Sequence, residues 1–268
     1  MIKVVKIGGN VVDNPELLQR FVRDFAAIPG RKILVHGGGV MASQMQKSMG
    51  MTPVMIEGRR VTDEETLRIV TMVYAGWCSK NIVALLQSEG CNAIGLSGAD
   101  GNVIKASRRP AVEVRISEEE CRMVDYGYVG DVTPDSINAG FIDSLLEKGI
   151  VPVFNAINHD GNGNLLNTNA DTIASSVAIA MARFRAEEDT DLIYCFEKDG
   201  VLYDKNDSDS VIPEIGRDRF DELKKEGRIA DGMIPKLTNS FKAIDNGVRK
   251  VIIKHAGNLL NEIGTTLI

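Results

Sequence analysis

The sequence predicts an α/β protein with three layers (αβα), in which helices cover both faces of a mostly parallel central sheet and β-hairpins form lids over it. Apolar runs of strand length recur at 2–7, 33–36, 92–96, 150–154, 191–196 and 250–254. The segments between these runs carry apolar residues at helical spacing. Strands that alternate with helices are typical of parallel sheets, because each parallel pair needs a crossover connection.

Apolar spacing and end signals define the helices. In the segment 15–28 the apolar residues form one face, Asn14 stands at the N-cap position and Pro15 begins the first turn. Glycine follows several predicted helices, as expected where the backbone turns left-handed after a helix. The predicted helices are 15–28, 40–49, 64–89, 134–148, 170–185, 217–226 and 236–246, and the capping glycines are Gly50, Gly90, Gly149, Gly227 and Gly247.

Two stretches interrupt this alternation. Residues 53–61 and 102–132 have the composition of β-hairpins or ribbons, and we expect them to lie over the sheet, where substrate lids are often found. No internal repeat or low-complexity tract is present. We divide the chain into an N-terminal lobe, residues 1–185, and a C-terminal lobe, residues 186–268.

Composition limits the possible functions. Hydrophobic residues make up 44% of the chain and charged residues 25%, as in ordinary globular proteins. The net charge is −6 and Lys and Arg never form a run longer than two, so we expect no nucleic-acid partner. The four cysteines form no CxxC pair and there are three histidines, which disfavours a zinc site or a disulfide framework. With no signal-peptide pattern and no apolar stretch of membrane-spanning length, we expect a cytoplasmic protein without a membrane partner.

Two lysines and several amide-rich turns indicate phosphate chemistry. Lys6 ends the first strand in VVKIGG, and Lys236 ends GMIPK near a helix start. Further turns after apolar runs are VHGGG at 35–39, LSGADG at 96–101 and NTNAD at 167–171. Backbone N–H groups at such turns bind anions, and ammonium groups neutralise transferred charge. The alternatives are solvated lysines and simple tight turns, and His36 is expected to satisfy local backbone rather than to transfer protons.

Several familiar nucleotide-binding motifs are missing. The chain has no GxxxxGK[ST], no GxGxxG before a helix, and no HRD or DFG, which excludes P-loop, Rossmann dinucleotide and protein-kinase sites. It also has no obvious general base. A carboxylate acceptor is already ionised near neutral pH, so an acyl phosphate forms without one.

Seven motifs together resemble those of a known family. VVKIGGN, VHGGGV, EGRRVT, GLSGADG, NTNADTIA, EKDGVLYD and DGMIPK occur in the order and at the distances found in the amino acid kinase family, and within it in the acetylglutamate kinases of arginine biosynthesis. The resemblance covers essentially the whole chain. GRRVT followed by NTNAD and DGMIPK is the acetylglutamate kinase combination rather than that of aspartokinases, carbamate kinases or uridylate kinases.

The resemblance implies a phosphotransferase that uses ATP to phosphorylate the side-chain carboxylate of N-acetyl-L-glutamate, giving N-acetyl-L-glutamyl 5-phosphate. Lys6 and Lys236 match the lysines that stabilise the phosphoryl group during transfer. Asp171 matches the aspartate that holds those lysines and favours their protonated forms. The N-terminal lobe is implied to bind the acyl amino acid and to dimerise, and the C-terminal lobe to bind nucleotide.

Substrate contacts are implied at six positions. Glycine backbone N–H groups face the phosphate and the attacking carboxylate, Arg60 and Asn167 grip the α-carboxylate, and Asn169 shapes the same turn. The implied substrate-binding residues are Gly9, Gly38, Gly39, Arg60, Asn167 and Asn169.

The nucleotide contacts depart from the family pattern at one place. Relatives often carry Ser or Thr followed by Asp where this chain has Phe196 and Glu197, and the alternative for Glu197 is a solvated loop acid. Mg²⁺ is expected on the ATP phosphates, with no protein metal ligand assigned. The implied nucleotide-binding residues are Glu197, Lys198, Gly200, Leu202, Ile229 and Ala230.

Three further expectations concern specificity, assembly and alternatives. Arg59 is expected either to bind a second carboxylate on the acyl group, as on N-succinyl-L-glutamate, or to be an exposed residue of the hairpin. Arginine-inhibited relatives carry a helix ahead of the first strand, whereas this chain begins at the strand, so the resemblance implies a homodimer without arginine feedback. The helix 64–89, which carries Met72, Tyr74 and Trp77, is expected either to form the dimer face or to pack simply in the core. A catalytically weak amino-acid sensor on the same fold and a sibling kinase acting on another carboxylate, carbamate or phosphate acceptor are the rival readings.

Overall fold

An eight-stranded sheet forms the centre of the protein, in a computed structural model that describes residues 1–115, 121–204, 206–229 and 233–268. The strands are β1 (Ile2–Ile7), β2 (Arg31–His36), β3 (Met55–Ile56), β4 (Arg59–Arg60), β5 (Ala93–Leu96), β6 (Ser107–Arg108), β7 (Val112–Arg115), β8 (Cys121–Val124), β9 (Val129–Asp131), β10 (Val151–Phe154), β11 (Ile157–His159), β12 (Leu165–Thr168), β13 (Thr190–Phe196), β14 (Glu214–Ile215), β15 (Lys250–His255) and β16 (Thr265–Leu267). The helices are α1 (Gly9–Val12), α2 (Pro15–Ala27), α3 (Gly39–Ser48), α4 (Glu64–Thr71), α5 (Ser79–Ser88), α6 (Ala139–Glu147), α7 (Ala170–Phe184), α8 (Arg217–Lys225) and α9 (Ile234–Asp245).

The central sheet has the order β14-β16-β15-β13-β1-β2-β10-β5, and only the β15–β16 pair is antiparallel. All six strands predicted from apolar runs lie in it, and the predicted αβα fold with a mostly parallel sheet is confirmed. β14 and β16 were not predicted, because strands of two or three residues show no clear alternation. β1 occupies an inner position between β13 and β2, so that Lys6 lies beside Tyr194 on one side and Val35 on the other.

Helices cover both faces of this sheet because its inner strands are apolar on both faces. β1 is buried almost throughout, and α2 buries Leu18, Phe21, Val22 and Phe25 against the core. α7 packs against β1, β2 and β13, and most of its residues between Ile173 and Ala182 are buried. The end of β1, which carries Lys6, is therefore fixed in place by the closely packed core around it.

The predicted helix ends are largely confirmed. Glycines after five helices have positive φ angles: Gly50 (76°), Gly90 (73°), Gly149 (69°), Gly227 (65°) and Gly247 (101°). The prediction of one helix over 134–148 is wrong at its start. A 3₁₀ turn at Pro134–Ser136 precedes an extended Ile137, and α6 begins only after Asn138, whose side chain accepts a 3.1 Å hydrogen bond from the Phe141 N–H.

The predicted helix 64–89 is continuous but changes its winding in the middle. α4 and α5 are joined by a π-helical turn, Met72–Cys78, in which Trp77 is 64% exposed while Tyr74 is buried. By length and composition this 25-residue helix could cross a membrane, which corrects the expectation that no stretch is long and apolar enough. Ile69, Val70 and Leu86 nevertheless belong to the hydrophobic core, as in the core helix of a globular protein.

A second, smaller sheet lies beside the central one. β3 and β4 form the predicted hairpin within 53–61. The segment 102–132 is more than a hairpin: β7 and β8 pair with each other, but β6 and β9 join β11 and β12 in a four-stranded sheet. This sheet brings Asn167, on β12, next to Val129 on β9, close to the hairpin that carries Arg59 and Arg60. Its strands come from three separate parts of the chain, so no local pattern predicted it.

Replacing Gly149 with alanine is expected to lower the free energy of unfolding by about 1 kcal/mol, because a side chain is strained in the left-handed region even though no atom lies within 4 Å of the added Cβ. Gly76→Ala is the matched control. Gly76 lies in the long helix with equally open space and no positive φ, so alanine there should not destabilise the protein. Urea denaturation measures the free energy of unfolding of both variants. Equal changes in the two would contradict the assignment of Gly149 as a left-handed residue at a helix end.

His36, at the end of β2, predicts a pH-dependent stability. It is fully buried, its Nδ1–H donates to the Gly37 carbonyl at 2.8 Å, and burial lowers its pKa to about 4. The unfolded chain therefore binds a proton between pH 6.5 and 4 that the folded protein does not bind. The free energy of unfolding should fall as pH drops through this window, by about 2 kcal/mol at pH 5 from this group. His36→Gln should have a smaller fall between pH 7 and 5 in urea denaturation, and an unchanged fall would exclude His36 as the source.

Candidate active site

Lys6 and Asp171 meet at one edge of the central sheet. Lys6 lies near the carboxyl end of β1 and is 7% exposed, and Asp171 lies in the first turn of α7, directly after β12. The Lys6 Nζ and Asp171 Oδ1 atoms are 2.7 Å apart, a close ion pair. Asn169 caps this helix by accepting a 3.0 Å hydrogen bond from the Thr172 N–H, which fixes the turn that presents Asp171.

Lys236 reaches the same place from a later part of the chain. It lies in the first turn of α9, and its Nζ is 3.8 Å from the ring centroid of Phe196, the last residue of β13. The Lys6 Nζ is 5.4 Å from the same centroid. The structure thus brings together the two lysines and the aspartate that were selected from the sequence, and it adds an aromatic ring close to both lysines.

The charges in this cluster depend on one another. Burial tends to raise the pKa of Asp171, but the charges of Lys6 and Lys236 and the Lys6 hydrogen bond outweigh it, so the pKa lies below its ordinary value and the group is an anion. The pKa of Lys236 is lowered, first by burial, and Lys6 adds to that effect while Asp171 and Glu197 oppose it. Asp171 supports the ammonium form of Lys236, as expected, but it does not cancel the effect of burial.

Glycines form a cradle of backbone N–H groups beside these charges. α3 begins after Gly38 without a side-chain cap, so its first N–H groups are open to a ligand. A Cβ on Gly9 would lie 3.3 Å from the Gly39 nitrogen, and a Cβ on Gly38 would lie 2.8 Å from Cδ1 of Tyr74. Side chains at these positions would therefore crowd the amides or the adjacent helix.

Arg60 is held in a buried network next to the cradle. Its Nη2 donates to the Gly39 carbonyl and to Ser43 Oγ, each at 2.8 Å, and its Nη1 donates to Gln46 Oε1. The Nε–H is buried and has no hydrogen-bond partner in the described part of the chain. Asn167 is tied to Arg60 through Thr62, whose hydroxyl accepts from Asn167 Nδ2 at 3.0 Å and donates to the Arg60 carbonyl at 2.8 Å.

A cavity of about 150 Å³ lies against the glycine turn after β2, Arg60 and Asn167. Its volume suits a small polar substrate rather than a whole nucleotide. Tyr74 was expected on a dimer face, but in the structure it is buried and lines this cavity. The cavity is lined by Gly37, Gly38, Gly39, Met55, Gly58, Arg59, Arg60, Tyr74, Val129, Ala156, Asn167, Thr168, Asn169 and Ala170.

The nucleotide-binding candidates follow β13 and precede α9. Glu197 and Lys198 are exposed, and Glu197 Oε1 accepts a hydrogen bond from Asn10 Nδ2. Gly200 is buried where a Cβ would lie 2.6 Å from Thr265 Oγ1. Leu202 forms a bridge with Val211 and Ile229 is 5% exposed, whereas Ala230 lies outside the described residues. The loop geometry assigns no nucleotide contact to any of them.

The described residues give little support to a protein-bound metal ion. No group of three or more His, Cys, Asp and Glu side chains comes together in residues 1–115, 121–204, 206–229 and 233–268. Asp171, the carboxylate nearest the lysines, is already engaged by Lys6 and so is a poor ligand for a cation.

Comparison with known proteins identifies the family. The model of the amino acid kinase family matches residues 1–255. The chain is 50% identical over 271 residues to the acetylglutamate kinase of Cytophaga hutchinsonii, covering 99% of this chain and 97% of the relative. It is 49% identical over 266 residues to that of Phocaeicola vulgatus, covering 99% and 98%.

A solved structure supports the fold independently. Carbamate kinase from Giardia lamblia, bound to AMP-PNP, superposes with a TM-score of 0.66 at 15% identity, covering 100% of this chain and 98% of that one. Similarity at this identity concerns the fold alone. The family match, the full-length relatives and this fold agree, and the chain belongs to the amino acid kinase family.

Proposed function

We propose that the protein is an acetylglutamate kinase, which transfers the γ-phosphoryl group of ATP to the side-chain carboxylate of N-acetyl-L-glutamate and so forms N-acetyl-L-glutamyl 5-phosphate for arginine biosynthesis. The observation that carries this proposal is the cluster of Lys6, Asp171 and Lys236 beside a cavity with a buried arginine. Its relatives at 49–50% identity carry the same name.

The chemistry needs cations more than it needs a base. In a loose phosphoryl-transfer transition state, negative charge spreads over the oxygens between donor and acceptor. Lys6 and Lys236 approach the site from different lobes, so their ammonium groups can stabilise this charge from two sides. The glycine cradle adds uncharged donors, and the acceptor carboxylate arrives ionised.

The acceptor lies in the cavity with its α-carboxylate toward Arg60 and Asn167. The unpartnered Nε–H of Arg60 favours a carboxylate there, because a buried donor without an acceptor is costly. Gly9, Gly38, Gly39 and Asn169 frame the reacting end. All of these residues lie within 1–185, which supports this part of the chain as the lobe that binds the acyl amino acid.

ATP with Mg²⁺ on its phosphates belongs to the lobe 186–268, with contacts from Glu197, Lys198, Gly200, Leu202, Ile229 and Ala230. The related carbamate kinase bound to AMP-PNP supports a nucleotide site on this fold. Within this group, Glu197 is the residue whose negative charge acts on Lys236, where it raises the pKa of the ammonium group.

The enzyme is proposed to be a cytoplasmic homodimer. Met72 and Trp77 are exposed on the long helix and offer an apolar contact face, whereas Tyr74 is buried in the cavity wall. The cysteines Cys78, Cys91, Cys121 and Cys195 are all free, as in proteins of a reducing compartment.

Lys6→Ala and Lys236→Ala are each expected to lower kcat by on the order of 10²-fold or more, because each removes a cation from the developing charge. Formation of acyl hydroxamate from acetylglutamate and ATP in the presence of hydroxylamine measures the product directly. Lys47→Ala, at an exposed lysine near the end of α3, is the control and should leave kcat unchanged. Near-normal kcat in either site variant would contradict the proposed roles.

Arg59 supports a second candidate substrate, N-succinyl-L-glutamate. Its side chain lines the cavity, and its Nη1 lies 3.7 Å from Asp131 Oδ1, a long contact. Arg109 holds the same carboxylate more closely, with Nη1 at 2.9 Å from Oδ2. The Arg59 guanidinium is therefore available to a second carboxylate on the acyl group.

If Arg59 reads the acyl group, the wild-type protein should have a higher kcat/KM for the succinyl than for the acetyl compound, and Arg59→Met should reverse this preference by about tenfold or more. Arg109→Met is the control, since it removes a neighbouring cation that does not line the cavity. Equal or better use of the acetyl compound by the wild-type protein would eliminate this candidate and leave the principal one intact.

A further inference from the structure

Phe196 lies where two like charges are brought together. Its ring centroid is 3.8 Å from the Lys236 Nζ and 5.4 Å from the Lys6 Nζ, and both distances are within the range of about 6 Å over which a ring attracts a cation. We propose that the ring of Phe196 is a positioning element, which holds the ammonium groups of Lys6 and Lys236 together at the phosphoryl-transfer site. This inference rests on the proposed function, since it assigns a task only if these lysines act on phosphate.

The ring is well placed for this task because the sheet fixes it. Tyr194 is the register partner of Lys6 on the neighbouring strand, and Phe196 stands two residues further along the same strand, on the same face. The rings of Tyr194 and Phe196 are stacked, with centroids 6.0 Å apart and planes at 19°. The Tyr194 hydroxyl donates to the Asp171 carbonyl at 3.2 Å, so the ring pair is connected to the helix that carries the counter-ion.

The electrostatics show why a ring is useful here. Lys236 is faced by Lys6 from β1, by Asp171 from α7 and by Glu197 after β13. Asp171 makes its close ion pair with Lys6, and Glu197 is exposed and accepts a hydrogen bond from Asn10. Lys236 is thus partly buried beside a like charge, while the nearest anion is committed to the other lysine. The negative face of an aromatic ring attracts an ammonium group and is most effective when water is excluded.

An uncharged ring also preserves the site's chemistry. A further carboxylate at this position would neutralise the lysines more strongly, but it would repel the transferring phosphoryl group. The ring adds no such repulsion, because its attraction comes from a quadrupole that is short in range. Phe196 therefore steadies the lysines without competing with phosphate for them.

Site-specific replacement of Phe196 by mono-, di- and trifluorinated phenylalanine tests this directly, because fluorine weakens the negative ring face with little change in shape. At neutral pH, kcat should fall step by step with each fluorine, and Phe196→Leu should lower it by about tenfold. The alkaline limb of kcat/KM for ATP should move to lower pH in the same order, since the protonated form of Lys236 loses support. Phe196→Trp, with a stronger ring face, should retain wild-type behaviour.

Phe21 provides the matched control. It forms a similar stacked pair with Phe25, with centroids 5.8 Å apart and planes at 26°, and it lies in the core of α2 away from the lysine cluster. Fluorination of Phe21 should leave kcat and the pH profile unchanged. If the fluorinated Phe196 series has constant kcat and a constant alkaline limb, or if Phe196→Leu behaves as wild type, the positioning role is excluded.

A measurement without turnover separates this inference from the proposed function. In the nucleotide-free protein with isotope-labelled lysine, NMR titration of the Lys236 side chain, assigned with Lys236→Arg, should give a lower pKa in Phe196→Leu than in wild type. If the protein fails to phosphorylate acyl glutamates but the Lys236 pKa falls in Phe196→Leu, the ring–lysine interaction is supported and the proposed function is excluded. If the protein is active but the Lys236 pKa is the same in both proteins, the proposed function is supported and the positioning role is excluded.

Discussion

Two ammonium groups have to be held close together at one edge of the sheet before any phosphate arrives. Lys6 is almost fully buried and Lys236 is partly buried, so each loses hydration and each raises the cost of the other. The close ion pair with Asp171 offsets the loss of hydration of Lys6. The Asp171 carboxylate remains ionised because the charges of Lys6 and Lys236 lower its pKa. The anion of Asp171 also lies in the first turn of α7, where the helix dipole favours negative charge.

The rest of the architecture can be understood as a way of bringing these groups to one point. Parallel strands place their carboxyl ends at the same edge, and this edge is where open α/β sheets bind ligands. β1 delivers Lys6, β13 delivers Phe196, and the glycine turn after β2 delivers the cradle. α9, which follows much later in the chain, brings Lys236 to the same edge.

The parts of this arrangement that depend on local sequence signals could be predicted. The parts that depend on contacts between distant segments could not. Strand runs, helix faces and capping glycines are local signals, and they predicted the central sheet and most helix bounds. The four-stranded sheet unites segments around residues 107, 130, 158 and 166, which no local pattern connects. Tyr74 lines the cavity from within a π-helical turn, and apolar spacing does not distinguish such a turn from an α-helix.

Phe196 illustrates the limit more sharply, because the sequence drew attention to it for the wrong reason. Compared with the family pattern, it appeared as a lost hydroxyl near the nucleotide. Its contact with Lys236 requires that α9, which starts 38 residues later, place a lysine over the ring. A contact between two residues on separate elements can be predicted from sequence only when both residue types are already associated with a function. Lysine and aspartate met that condition here, and phenylalanine did not.

The proposed acceptor side of the site is built differently from the proposed phosphoryl side. Arg60 donates to Gly39, Ser43 and Gln46, so much of its hydrogen-bonding capacity is used by the protein itself. That network fixes the guanidinium in advance, and a substrate does not have to order it. The Nε–H remains without a partner in the described part of the chain, at a residue that lines the cavity. A fixed arginine with a donor left over favours an anion at one position, whereas the two lysines, held beside Asp171 and Phe196, are proposed to stabilise the charge of the phosphoryl group. The two halves of the site thus suit the two parts of the proposed reaction, fixing the acceptor and stabilising the transferred group.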